Sequence, residues 1–97
     1  MTYLTIARVS GDPDRLLGDY RRCSGVMDQV GHDHGLILHA GAPSADGFVI
    51  VNLWPSRDRS EAAAADSRRL AAISDTSVSP AAFRREHYAV ERYVLSP

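Results

Sequence analysis

Three side chains combine hydrogen-bonding capacity with an apolar setting: His39 in the run Leu36 to Ala40, and Asn52 and Trp54 in the run Phe48 to Trp54. If both runs are extended, side-chain alternation places Phe48, Ile50, Asn52 and Trp54 on one face of the second, and Ile37 and His39 on one face of the first. An imidazole, a carboxamide and an indole N–H on an otherwise apolar surface make up a small-molecule cavity, greasy with a few directed polar groups. The opposite faces, Leu36, Leu38 and Ala40 on one run and Val49, Val51 and Leu53 on the other, are purely aliphatic.

Other chemistries drop out by composition. All 11 basic residues are arginine, so lysine Schiff-base and P-loop chemistry is excluded. The net charge of −1 gives no excess of positive charge for a phosphate backbone or an anionic membrane, so nucleic-acid and membrane partners are not expected. Cys23 is the single cysteine and falls on an apolar helical stripe, where a free thiol acts as a small hydrophobe. His32-Asp33-His34 has the look of a chelate but no third ligand in register, which makes solvated loop histidines the better reading and predicts no metal. His87, among Arg84, Arg85 and Glu86, reads as surface. Paired carboxylates, a G-x-S-x-G elbow and phosphate-cradling glycine runs are absent. The start of the sequence has no basic region followed by an apolar run, from which a cytoplasmic address is expected.

The elements that must position the three polar groups follow from local pattern. Tyr3 to Val9 is rich in β-branched and aromatic residues and ends at Ser10-Gly11-Asp12-Pro13, so it is read as a strand. Leu16, Tyr20, Cys23, Met27 and Val30 recur at four-three spacing and form one stripe of an amphipathic helix, with Asp12 as cap, Pro13 in the first turn and Gly31 as the stop. The two apolar runs form a hairpin across Gly41 to Gly47, Ser56 caps a helix over Arg57 to Ile73, Ser79-Pro80 starts a short helical turn, and Tyr88 to Leu95 is the last strand. The order β-α-β-β-α-β over one domain, residues 1–97, predicts an α+β, ferredoxin-like antiparallel sheet with both helices on one face.

Which face the helices cover decides where the site lies. A helix-packed surface offers no obvious partner for an imidazole or a carboxamide, so Leu36, Leu38, Val49, Val51 and Leu53 are assigned to the covered core. The open face then carries His39, Asn52, Trp54, Phe48, Ile50 and Ile37, with Tyr3, Thr5 and Ala7 from the first strand. Such a face is most simply buried by a second copy in a two-fold homodimer, leaving a cavity for a small hydrophobic or aromatic molecule between the sheets.

The βαββαβ order, the strand ending VNLWPS (Val51 to Ser56) and the alanine-rich acidic helix after it resemble the antibiotic-biosynthesis-monooxygenase-like group of the dimeric α+β barrel superfamily. The resemblance spans nearly the whole chain. It implies a dimeric α+β barrel and an activity among those of the group, which includes cofactor-free oxygenases of phenolic or anthrone-type polyketides and haem-degrading enzymes. Asn52 and Trp54 match the pocket Asn and Trp of such enzymes, whereas Arg57 to Ile73 holds no histidine where haem degraders present one. The implied reaction needs no cofactor: a substrate deprotonated to an enolate or phenolate reduces dioxygen itself. Asn52 and Trp54 would then donate hydrogen bonds to the developing oxyanion, with His39 as the candidate base and Phe48, Ile50, Ile37, Tyr3 and Thr5 binding substrate. The alternative is a non-catalytic homodimer that binds a small hydrophobic ligand or packs the same residues structurally.

Overall fold

The structure is a computed structural model that describes residues 1–96. Its elements are β1 (Tyr3–Ser10), α1 (Pro13–Asp33), β2 (Leu38–Ser44), β3 (Gly47–Trp54), α2 (Arg57–Ala64), α3 (Ser67–Ser74), a 3-10 turn at Pro80–Ala82, and β4 (Arg84–Ala89). The strands form one antiparallel sheet in the order β2-β3-β1-β4. This is the ferredoxin-like arrangement expected from the sequence, with the second helix broken in two.

The ends of α1 show how local chemistry sets its length. The Asp12 carboxylate accepts the Arg15 N–H at 3.3 Å, and Pro13 occupies the first turn, where its missing N–H costs nothing. Gly31 is not the stop. It lies inside the helix because Leu36 folds back onto it, and a Cβ there would stand 2.7 Å from Leu36 Cδ2. The chain leaves the helix at Gly35, whose φ of +79° favours glycine.

The stretch Arg57 to Ile73, expected as one helix, divides at Ala65 and Asp66. The Asp66 carboxylate accepts the Arg68 N–H at 2.9 Å and caps a new helix, so a side chain that competes for backbone donors ends α2 and starts α3. Asp66 also meets His34 at 3.0 Å and Arg68 at 2.8 Å, while Arg68 reaches Asp33 at 2.8 Å. The His32-Asp33-His34 segment thus ties the end of α1 to the start of α3 rather than standing free in a loop.

The last strand is displaced from the expected Tyr88 to Leu95. Tyr3 pairs with Ala89 and Arg8 with Arg84, and β1 begins at Tyr3, so residues beyond Val90 run past the end of their partner and have no ladder to join. The aliphatic and aromatic content of the tail is real, but a strand needs a neighbour.

The assignment of sheet faces is reversed. Both clusters of buried residues form on the mixed face: Val9 and Phe48 pack on Leu16, and Trp54 packs on Val30 and Ala63. The helices therefore cover Phe48, Ile50, Asn52, Trp54 and His39. The aliphatic face, with Leu4 and Ile6 of β1, Leu38 of β2, and Val49, Val51 and Leu53 of β3, is the one without helices, and Leu38 is 40% exposed there. Of the residues assigned to the covered core only Leu36, which precedes β2, packs on that side. The premise failed because helix α1 does carry a partner for the imidazole, the hydroxyl of Tyr20.

The carboxylates of Asp66, Asp33 and Glu86 are held below their ordinary values, Asp66 and Asp33 chiefly by hydrogen bonds from Arg68 and Glu86 by those from Tyr88 and Arg8. A depressed carboxylate contributes stability that is complete above its unfolded pKa, roughly 4, and is lost as pH falls through the folded one. Urea unfolding should show a lower midpoint at about pH 3 than at about pH 5, and Asp66→Asn should lower the midpoint at the higher pH while narrowing that acid loss.

Candidate functional site

A cavity of about 210 Å³ lies between the helices and the mixed face of the sheet. It exceeds the roughly 150 Å³ apolar cavity that takes up one benzene ring, so a fused-ring molecule is within its range. Its walls are mostly apolar: Val9, Phe48, Ile50 and Trp54 rise from the sheet, and Leu16, Met27, Val30 and Ile73 descend from the helices. Cys23 joins them, its thiol pushed up in pKa by burial and near the Ala72 carbonyl at 3.4 Å. Packing alone accounts for it.

Against this wall one polar row crosses the whole sheet. The strand registers align His39 of β2 with Asn52 of β3, Asn52 with Thr5 of β1, and Thr5 with His87 of β4, so four polar side chains share one line on the covered face. Within that row His39 Nδ1 lies 2.6 Å from Asn52 Oδ1, and His39 Nε2 lies 2.5 Å from the Tyr20 hydroxyl. An amide oxygen only accepts, so the imidazole carries its proton on Nδ1 and donates it to Asn52, leaving Nε2 to accept from Tyr20. Both ring nitrogens are engaged, the Asn52 amide is turned so that its NH₂ is free to donate, and α1 is bonded to the sheet through one histidine.

Room for this contact comes from Gly41. The Tyr20 ring lies over the β2 backbone, and a Cβ at Gly41 would stand 2.7 Å from its Cζ and 2.8 Å from its hydroxyl. The ring is parallel to the His39 imidazole, with an interplanar angle of 14°, and tilts against Phe48 at 4.8 Å between centroids. Burial, aided by the negative charge of Asp28, raises the pKa of the Tyr20 phenol, so the group keeps its proton and serves as a donor.

The cavity brings together Asn52, Trp54, His39, Phe48, Ile50 and Thr5, six of the eight residues singled out in the sequence. The other two lie elsewhere. Tyr3 packs beside Trp54 and stacks on His87 at 5.9 Å, outside the lining, and Ile37 is used by its backbone, whose N–H bonds the Leu53 carbonyl at 2.8 Å. The cavity that gathers the six lies within this chain, between sheet and helices, not between two sheets as expected.

Several polar residues of the lining were not singled out in the sequence, Tyr20, Asp19, Arg69 and Arg85 among them. Tyr20 was counted as one more apolar residue of the α1 stripe, although its polar tip was the clue that the stripe faces polar groups. Asp19, next to it, is 5% exposed. Desolvation works to raise its pKa, but hydrogen bonds from Ser77, at 2.8 Å, and from Arg22 outweigh it and hold the carboxylate below the usual range. Arg69 of α3 and Arg85 of β4 also line the cavity and had no signal beyond their charge.

No protein-family model and no curated protein matches the sequence. Solved structures do match the fold. A dimeric ferredoxin-like protein of unknown function from Jannaschia sp. CCS1 is 8% identical over 93% of this chain and 100% of its own, with a TM-score of 0.72. SnoaB, a cofactor-independent oxygenase from Streptomyces nogalater, is 15% identical over 98% of this chain and 96% of its own, with a TM-score of 0.63. An antibiotic biosynthesis monooxygenase is 10% identical over 97% of this chain and 100% of its own, with a TM-score of 0.63. The ferredoxin-like fold of the single chain is therefore the one that the sequence resemblance implied. At such identities the likeness extends to the backbone and leaves the chemistry to the side chains.

Tyr20→Phe removes the donor to a half-buried imidazole and should lower stability by about 1 to 3 kcal/mol in urea unfolding. Gly41→Ala, whose Cβ would push the Tyr20 ring away, should reproduce the loss with both partner side chains unchanged in identity, and ¹⁵N spectra of His39 should change in the same sense in both variants.

Proposed function

We propose that this chain is a cofactor-independent monooxygenase of a small phenolic, polyketide-like aromatic, acting in the cavity between its sheet and helices. The observation that supports this reading is the Tyr20–His39–Asn52 chain at the wall of an apolar cavity, since it offers a proton path and a fixed hydrogen-bond donor where a ring system would lie. SnoaB, whose fold this chain shares, is a cofactor-independent oxygenase, which supports the same reading.

The residues divide the work as follows. Apolar walls hold the ring and keep water from it, and removal of the substrate's phenolic or benzylic proton makes an electron-rich anion. For an anthrone-type substrate the balance is a CH₂ carbon that gains one oxygen atom of O₂ and loses two hydrogens, which leave with the second oxygen atom as water. His39 is the base. Its Nε2 is reached through the Tyr20 hydroxyl, so a proton accepted at the Tyr20 oxygen is matched by the hydroxyl proton moving to His39 across 2.5 Å. The imidazolium so formed keeps its bond to Asn52 Oδ1. The Asn52 NH₂ and the indole N–H of Trp54 stabilise the oxyanion.

The aliphatic face of the sheet completes the reading. Leu4, Leu53 and Leu38 align across three strands, as do Ile6, Val51 and Ala40, and no helix lies over them. A contiguous apolar face of this kind is buried by a copy of itself in a two-fold homodimer, so each subunit keeps its own cavity on the far side of the shared interface. Dimerisation supports the sheet and does not close the site.

Oxygen uptake with dithranol or a dihydroxynaphthalene tests the activity. Asn52→Ala should lower kcat about 10²- to 10³-fold and His39→Gln should lower it comparably, with near-UV circular dichroism unchanged. Absence of uptake by the wild type with every such phenol, despite saturable binding, would instead support a ligand-binding protein. In light scattering the wild type should have the mass of a dimer, and Val51→Asp that of a monomer.

A further inference from the structure

The charges around the cavity do not balance. Both carboxylates of the lining are answered: Asp19 by Arg22 and Ser77, and Glu61 by Arg57 at 2.8 Å. The two guanidinium groups are not. Among the described residues neither Arg69 nor Arg85 forms an ion pair. Arg69 donates one N–H to the Ala64 carbonyl at 3.0 Å, and Arg85 lies 5.6 Å from the centroid of the Phe83 ring. One bond of five possible donors leaves most of the Arg69 fork unused.

The two cations also feel each other. Burial lowers the pKa of Arg69 and the charge of Arg85 lowers it further. A guanidinium does not shed its proton in a protein, so an anion placed between them would relieve the repulsion. Position narrows the kind of anion. Arg85 is opposite Ala7, one step along β4 from His87, and His87 stands at the far end of the polar row that begins with His39. Three strand spacings separate the ends of that row, about 14 Å between backbones, with the cavity walls between them.

We infer that Arg69 and Arg85 form a carboxylate subsite, so that the ligand of this cavity is an aromatic acid with its carboxylate on the two arginines and its phenolic end toward Tyr20 and His39. The planar guanidinium fork suits a carboxylate, which takes two parallel N–H bonds. The phenolic end of this assignment rests on the proposed activity; the acidic end rests on the arginines.

Calorimetric titration with 6-hydroxy-2-naphthoate and with its methyl ester separates the two. The acid should bind at least about tenfold more tightly than the ester at low salt. Arg69→Gln and Arg85→Gln should each erase most of that preference while leaving the ester's affinity unchanged. Equal binding of acid and ester by the wild type, or a preference that survives in the double variant, overturns the subsite while leaving the phenol site intact. A preference for the acid in a protein that consumes no oxygen upholds the subsite and removes the monooxygenase reading. Failure of both probes to bind overturns the cavity as a ligand site and the subsite with it.

Discussion

The position of His39 is the constraint from which the rest of the arrangement follows. An imidazole on the covered face of a sheet needs a partner at each nitrogen, because an unmade hydrogen bond there costs the desolvation of a polar group with no return. One partner comes from the neighbouring strand, Asn52, and the other must come from above, from the helix layer. That requirement puts a tyrosine at the point of the α1 stripe nearest β2, and puts a glycine at position 41 so that the ring can lie close to the strand. Histidine, asparagine, tyrosine and glycine are then one device distributed over three elements. Its members are interdependent: loss of any one leaves the others unpaired or crowded.

The same requirement explains what could be read in the sequence and what could not. Strand and helix identities were legible because each is written in nearby residues: alternation in Phe48 to Trp54, four-three spacing from Leu16 to Val30, capping groups at Asp12 and Ser56. Elements whose limits depend on distant partners were read less well. The end of β4 is set by where β1 begins, the stop of α1 by how Leu36 packs on Gly31, and the break before α3 by a contest for backbone N–H groups that Asp66 wins. Alternation divides a strand into two faces but does not say which one the helices will cover. The expectation that polar groups avoid the covered face selects the wrong one, because the helix brings its own polar group to meet them. Tyr20 was visible throughout, counted among apolar residues for its ring.

Most of the candidate residues nevertheless lie together around one cavity, and the reason is geometric. Residues that share a face of one strand stay together whichever way the sheet is turned, so Asn52, Trp54, Phe48 and Ile50 were bound to line the same surface. Reversing the sheet moved them as a group from an expected intersubunit cavity into one within the subunit. What moved out of view was everything the helices contribute: Tyr20, Asp19 and Arg69 share no strand with the candidates, and only the tertiary packing brings them to the cavity.

The two faces of the sheet now have separate tasks, and the separation has a physical advantage. The aliphatic rows of the open face, Leu4, Leu53 and Leu38 beside Ile6, Val51 and Ala40, have no polar groups to align, so in the proposed dimer they would tolerate small shifts of one sheet on the other. The mixed face cannot tolerate such shifts, because its hydrogen bonds at 2.5 and 2.6 Å depend on position. With the polar chain on the helix side, its geometry is set by intramolecular packing of α1 on β2 and β3. A pocket built between the two sheets would have inherited every adjustment of the interface. Placing His39, Asn52 and Tyr20 under the helices leaves the open face to its aliphatic rows and the polar chain free to be exact in its distances, and the single histidine bonded to both layers is where that division is enforced.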